Sequence, residues 1–154
     1  MDIGDLLDRQ AVVARASATT KRQVLSLAAE VAARLYGLTS SEVLEALLAR
    51  EAEGSTGLGS GVAAPHARLA GLDRVRGVFI RLETPAPFGA VDDQPVDLLF
   101  VLLAPLDGAT EHLRALARVS RALRRPALRG RLRQARTQDA LHALLAGDAT
   151  ASAA

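Results

Sequence analysis

Val96-Asp97-Leu98-Leu99-Phe100-Val101-Leu102-Leu103-Ala104 is the most apolar run in the sequence. Only Asp97 interrupts it, and Pro105-Leu106-Asp107-Gly108 closes it as a turn. An apolar run without alternation is the signature of a strand buried on both faces, which a sheet provides only when helices cover both sides. The flanking sequence supplies those helices. Downstream, Thr110 is placed to cap a helix that runs to about Arg125, where Pro126 interrupts it. Two shorter helices are predicted near 127–135 and 138–145, and 148–154 reads as a disordered tail.

Upstream, 11–16 is a short apolar run suited to an edge strand. Thr19 or Thr20 caps a helix whose Val24, Leu25, Ala28, Val31, Ala32 and Leu35 recur at helical spacing, and Gly37 stops it. Thr39-Ser40-Ser41-Glu42 has capping-box spacing and opens a second helix that ends at Gly54. Val78, Phe79, Ile80 and Leu82 mark a strand over 77–83, broken by Pro85 and Pro87. No repeat at a solenoid period is present. The order predicts a single α/β domain over 3–147, a mixed β-sheet flanked by helices on both sides.

The 154 residues are 49% hydrophobic, enough for one real core. There is no cysteine, which excludes disulfides and thiolate metal sites and fits a reducing compartment. The acidic start Met1-Asp2-Ile3-Gly4-Asp5 lacks a signal-peptide pattern, and no uncharged run spans a bilayer. The expectation is a cytoplasmic protein with no membrane partner. Net charge is +2 despite a sequence pI of 9.9, because arginine stands almost everywhere in place of lysine. Aromatics are 3% of residues, so a nucleic-acid partner is not expected. Arg114, Arg118, Arg121 and Arg125 form one helical stripe, either a solvated face or a steering surface for an acidic partner.

Gly54-Ser55-Thr56-Gly57-Leu58-Gly59-Ser60-Gly61 invites a phosphate-loop reading, but the templates fail. A P-loop needs Gly-Lys-Ser/Thr opening a helix, and no lysine follows Gly59. The dinucleotide pattern would need glycine where Val62 stands, and here a helix precedes the loop. Glycines nonetheless let backbone approach a ligand closely, which makes Thr56, Gly59 and Ser60 candidate binding residues. The loop leads into Ala63-Ala64-Pro65-His66-Ala67-Arg68, where the proline restricts Ala64 and presents His66 at a stiff point. A lone histidine is more often structural or exposed than catalytic. Taken singly, His112 reads as a first-turn surface residue, Arg50 as a solvated helix end and His142 as exposed and without a role. No nucleophile-elbow spacing supports a serine hydrolase, and no carboxylate joins His66 and His112 at metal-ligand spacing, so no metal or other cofactor is expected.

Arg50-Glu51, the glycine loop and Val62-Ala63-Ala64-Pro65-His66 together resemble the type 2 enzyme IIA family of bacterial phosphotransferase systems. That family includes fructose, mannitol and nitrogen-regulatory components. The resemblance continues through Gly77-Val78-Phe79, 90–100 and His112-Leu113, covering about 3–145. It implies that His66 accepts a phosphoryl group from a histidine phosphocarrier protein, with His112 and Arg50 holding the phosphoryl oxygens. The family's residue before the proline is larger and branched; here it is Ala64. The segments 2–7 and 93–98 resemble the nitrogen-regulatory branch, which implies regulatory target proteins as partners. The alternative is a sugar-specific component that passes the group to a transporter IIB domain.

The chemistry agrees with this assignment. A neutral imidazole nitrogen is nucleophilic near pH 7 and leaves readily once phosphorylated, as a reversible carrier requires. Phosphoryl transfer also needs positive or N–H donors around the equatorial oxygens, which an arginine fork and a helix N-terminus supply.

Overall fold

In the computed structural model the backbone is described over residues 2–153 and the side chains over 2–147. The elements run α1 (Ile3–Leu6), β1 (Leu7–Ala16), α2 (Lys21–Tyr36), α3 (Ser40–Glu53), β2 (Gly57–Gly59), β3 (Val62–Ala63), β4 (His66–Leu69), β5 (Arg76–Ala86), β6 (Val96–Pro105), α4 (Ala109–Leu123), α5 (Pro126–Gln134) and α6 (Gln138–Ala153). The sheet is mixed, with strand order β1-β5-β6-β3-β2. β6 pairs antiparallel with β5 on one side and parallel with β3 and β4 on the other. The expected α/β architecture is therefore present, with β6 at its centre and buried from Leu98 through Pro105.

Two helical layers enclose the sheet. α2 and α3 pack on each other and against β1, β5 and β4, while α4 and α6 pack on β6 and β1 together with α1 and α5. Thr20 is the α2 cap, its side chain accepting from the Gln23 N–H, and Gly37 closes the helix in the left-handed region at φ 70°. Thr39 caps α3 by position only; no capping-box hydrogen bond forms. At the sheet's centre Phe79 and Phe100 stack edge to face at 6.1 Å. Gly77 is required there, because a Cβ at that position would sit 2.6 Å from the Phe100 ring.

Several boundaries differ from expectation, each for a physical reason. α1 carries too few residues to show a period, yet its Ile3 and Leu6 are buried. β5 runs on through Pro85 because a register irregularity falls between Arg81 and Ala86, so the missing N–H interrupts no ladder there. The α4 cap is Gly108, not Thr110. His142 is half-buried, its Nε2 3.1 Å from the Leu7 carbonyl, and ties α6 to β1 rather than lying free. The α6 backbone stays helical to Ala153, into the stretch expected to fray, where alanines recur and favour helix.

β3 and β4 are one strand cut in two, both paired to β6. Val62 faces Leu98 and His66 faces Leu102, the same offset before and after the Ala64-Pro65 step. Pro65 has no N–H for the ladder, but its carbonyl still accepts from the Leu102 N–H at 2.9 Å. His66 is thus fixed to the central strand at the first residue after the break.

Phe100→Ala should cost about 3–5 kcal/mol of unfolding free energy, because a fully buried ring is lost at a site the sheet cannot close. Urea unfolding followed by circular dichroism measures it. A loss under about 1 kcal/mol would contradict a core centred on β6.

Candidate active site

Three elements converge on one pocket of about 550 Å³. α3 brings Arg50 and Glu53, β4 brings His66 and Arg68, and α4 brings His112 and Leu113. The two imidazoles stand edge to face, with centroids 5.1 Å apart and planes at 73°. Arg50, in the last turn of α3, donates from one terminal nitrogen to the Gly54 carbonyl at 2.9 Å. Its Nε–H then reaches the His66 Nε2 at 3.3 Å.

These contacts determine the tautomer of His66. Its Nδ1 lies 2.9 Å from the Ala64 carbonyl oxygen, which can only accept, so Nδ1 carries the proton. Its Nε2 faces an arginine N–H, which can only donate, so Nε2 carries the lone pair. Both partners demand the same tautomer, and it leaves Nε2 as the nucleophilic atom at the pocket.

The Ala64 carbonyl is itself held in place. Lys21 pairs with Glu51 at 2.8 Å, and the buried Glu51 carboxylate accepts from the Thr56 hydroxyl and N–H. The Thr56 carbonyl in turn accepts from the Ala64 N–H at 3.0 Å. Buried charge is tolerated there because each carboxylate oxygen has a donor.

This chain of bonds corrects the expectation for the loop. Thr56, Gly59 and Ser60 do not line the pocket. Thr56 is buried and committed to Glu51. The Ser60 N–H donates to Asp92 at 3.0 Å, and the Ser60 carbonyl accepts from Arg133. That N–H and the Gln94 N–H hold the Asp92 carboxyl below its usual range. Gly59 and Ser60, at φ 90° and 58°, turn the β2–β3 hairpin. Arg68 was not singled out from the sequence. The two-residue period of β4 puts it on the face that carries His66.

His112 sits one position beyond the three free N–H groups of α4, and its own N–H bonds the Gly108 carbonyl at 2.9 Å. Ala109, the first helical residue, borders the pocket, so the positive end of α4 still faces it. The His112 Nε2 is buried with no hydrogen-bond partner among the described residues. Burial first, then repulsion from His66 and Arg68, lowers its pKa to about 4, so the ring is neutral near pH 7. Glu53 is the acid among the described lining residues.

The fold and this histidine pair define a phosphotransferase-system component. The chain matches the family described as "Phosphoenolpyruvate-dependent sugar phosphotransferase system, EIIA 2" over residues 5–147, and it belongs to that family. It is 42% identical over 146 residues to a nitrogen regulatory protein of Bradyrhizobium diazoefficiens, covering 95% of each chain. The crystal structure of nitrogen regulatory protein IIA-Ntr from Neisseria meningitidis superposes with a TM-score of 0.87 at 36% identity, covering 93% of this chain and 98% of that one. A fructose-specific EIIA component of Haloferax volcanii is 37% identical over 67% of each chain. No helix among the described residues is long and apolar enough to cross a membrane.

The His112 ring should titrate near pH 4 in a histidine NMR titration, well below the ordinary value of about 6.5. Between those values the unfolded chain binds the extra proton, so stability falls as pH drops from about 6.5 toward 4. His112→Asn should make that fall shallower. An unchanged pH dependence in the variant would remove the buried neutral ring from the account.

Proposed function

We propose that the chain carries a phosphoryl group on His66 Nε2, taken from the phosphohistidine of a histidine phosphocarrier protein. The observation that carries this reading is the pair of opposed contacts that leaves the Nε2 lone pair toward the pocket. In the transfer, that lone pair attacks the phosphorus in line, the carrier's N–P bond breaks, and the carrier imidazole keeps the electron pair. The His66 Nδ1 keeps its proton and goes on donating it to the Ala64 carbonyl. The phosphorylated ring therefore remains protonated and is a good leaving group in the next transfer.

The surroundings suit the developing charge. Arg50 keeps further N–H groups for the equatorial oxygens. A neutral His112 with its proton on Nε2 donates to the same oxygens, which would satisfy the nitrogen that has no partner. Arg68 and the start of α4 add positive potential. The functional unit in this reading is residues 3–147.

The use we favour is regulatory, with target proteins that distinguish the phosphorylated from the free form. The greater likeness to nitrogen regulatory proteins supports it. A phosphoryl group adds roughly −1.5 to −2 charges at the pocket, which a partner seated over His66 would have to desolvate. In the second reading, favoured by the likeness to fructose-specific components, a transporter IIB domain takes the group.

Incubation with phosphorylated carrier should give one acid-labile phosphoryl group per chain, absent in His66→Ala. His112→Ala should still accept it but transfer roughly a hundredfold more slowly, as when one transition-state donor is lost. Full labelling of His66→Ala would refute the assignment. Rapid discharge to an isolated IIB domain would move the use from regulation to transport.

A further inference from the structure

We propose that the outer face of α4 is a docking surface for an acidic protein segment with apolar residues between its carboxylates. The charge distribution is the first ground. Residues 112–138 contain nine arginines and no acid, so with a formal charge of +2 the other residues together carry −7. A chain nearly neutral as a whole thus concentrates positive charge in the segment that carries α4 and α5, and such an excess steers an oppositely charged partner.

On α4 the helical period gathers Arg114, Arg118 and Arg121 on one stripe, about 10 Å from first to last, and Arg125, expected on the same stripe, lies past the helix end as the extended cap of α5. At the stripe's pocket end Leu113 is 69% exposed. The guanidinium of Arg121, like that of Arg124, makes no hydrogen bond or ion pair with the other described residues, and both residues are exposed. Holding several like charges in a row costs stability, which an opposite partner would relieve.

The chain itself shows what such a stripe accepts. Arg118 donates to the Asp2 carboxylate at 2.9 Å, while Ile3 and Leu6 of the same short segment are buried beside it. Arg114 takes the Glu111 carboxylate at 3.3 Å. The N-terminal segment therefore displays the proposed chemistry in miniature, carboxylate on guanidinium with apolar residues packed alongside. Nucleic acid is a poorer occupant, since the three phenylalanines are buried in the core and no tryptophan exists to stack a base. The aromatic anchors of a membrane-surface helix are missing as well.

The test uses the full chain without a phosphoryl group, so a failure of His66 chemistry does not affect its reading. A fluorescein-labelled peptide repeating Glu and Leu at helical spacing is titrated and followed by anisotropy. A Gln-for-Glu peptide, a short DNA duplex and phosphatidylglycerol vesicles are titrated in parallel. The Glu peptide should bind at low salt and weaken steeply as salt rises, and the Gln peptide should not bind. Arg114→Glu with Arg121→Glu should weaken binding at least about tenfold, and the paired Gln variant should fall between. Circular dichroism confirms that both fold. Equal binding by the reversed variant overturns the proposal. So does tighter binding of DNA or vesicles that the same reversal abolishes, or self-association at low salt that it abolishes, which would make a second copy the occupant.

Discussion

One carbonyl oxygen, that of Ala64, sets the tautomer of the imidazole at the centre of the candidate site. It accepts the Nδ1 proton of His66 and so places the lone pair on the opposite nitrogen, where Arg50 and the pocket lie. An imidazole free to exchange tautomers would present the wrong nitrogen part of the time. The carbonyl holds its direction because its own residue is fixed twice: covalently by Pro65, and by an N–H donated to Thr56. Thr56 is held by Glu51, and Glu51 by Lys21. A short run of polar contacts thus ties α2, α3 and the hairpin to the His66 ring. A small residue suffices at 64, since the group that matters there is backbone.

The central strand makes the second contribution. β6 holds Pro65 and His66 through the ladder on one edge while its buried faces carry the two helical layers. α3 and α4, from opposite layers, then meet at the same edge of the sheet. Arg50 comes from the carbonyl end of one helix and His112 from near the amide end of the other. The pocket accordingly combines an arginine fork with a helix N-terminus, two ways of stabilising an anion that need no rearrangement when it arrives. Neutral His112 adds a donor without adding a charge that would repel the cation beside it. In the proposed function a phosphoryl group would be met by groups already in position, which suits a switch read at the surface rather than one that refolds the chain.

The sequence made legible whatever rests on period and composition. β6 announced itself by an unbroken apolar run, α2 by its spacing and Thr20, and the sandwiching helices by the strand's need for cover. Arg50, His66 and His112 were legible through a family resemblance, and the structure brings all three together. The glycine loop was misleading because permissive φ angles do not say which N–H groups are already bonded; those of Thr56 and Ser60 are given to carboxylates. Arg68 went unnoticed because β4 is only four residues long and follows a proline, too short for alternation to show. The cap of α4 moved to Gly108 because the turn from β6 closes there, a tertiary constraint that no local signal records. His142 was passed over for the same reason, its acceptor being a carbonyl 135 residues away.

The central claim is that the fold, before any phosphoryl group arrives, holds His66 with its proton on Nδ1. Long-range proton–nitrogen NMR of the neutral ring tests this directly, since the two nitrogens of each tautomer resonate far apart. The account predicts a protonated Nδ1 and an unprotonated Nε2 in the free protein, and a phosphorus coupling to Nε2 alone after phosphorylation. A ring protonated on Nε2, or a phosphoryl group found on Nδ1, would contradict it.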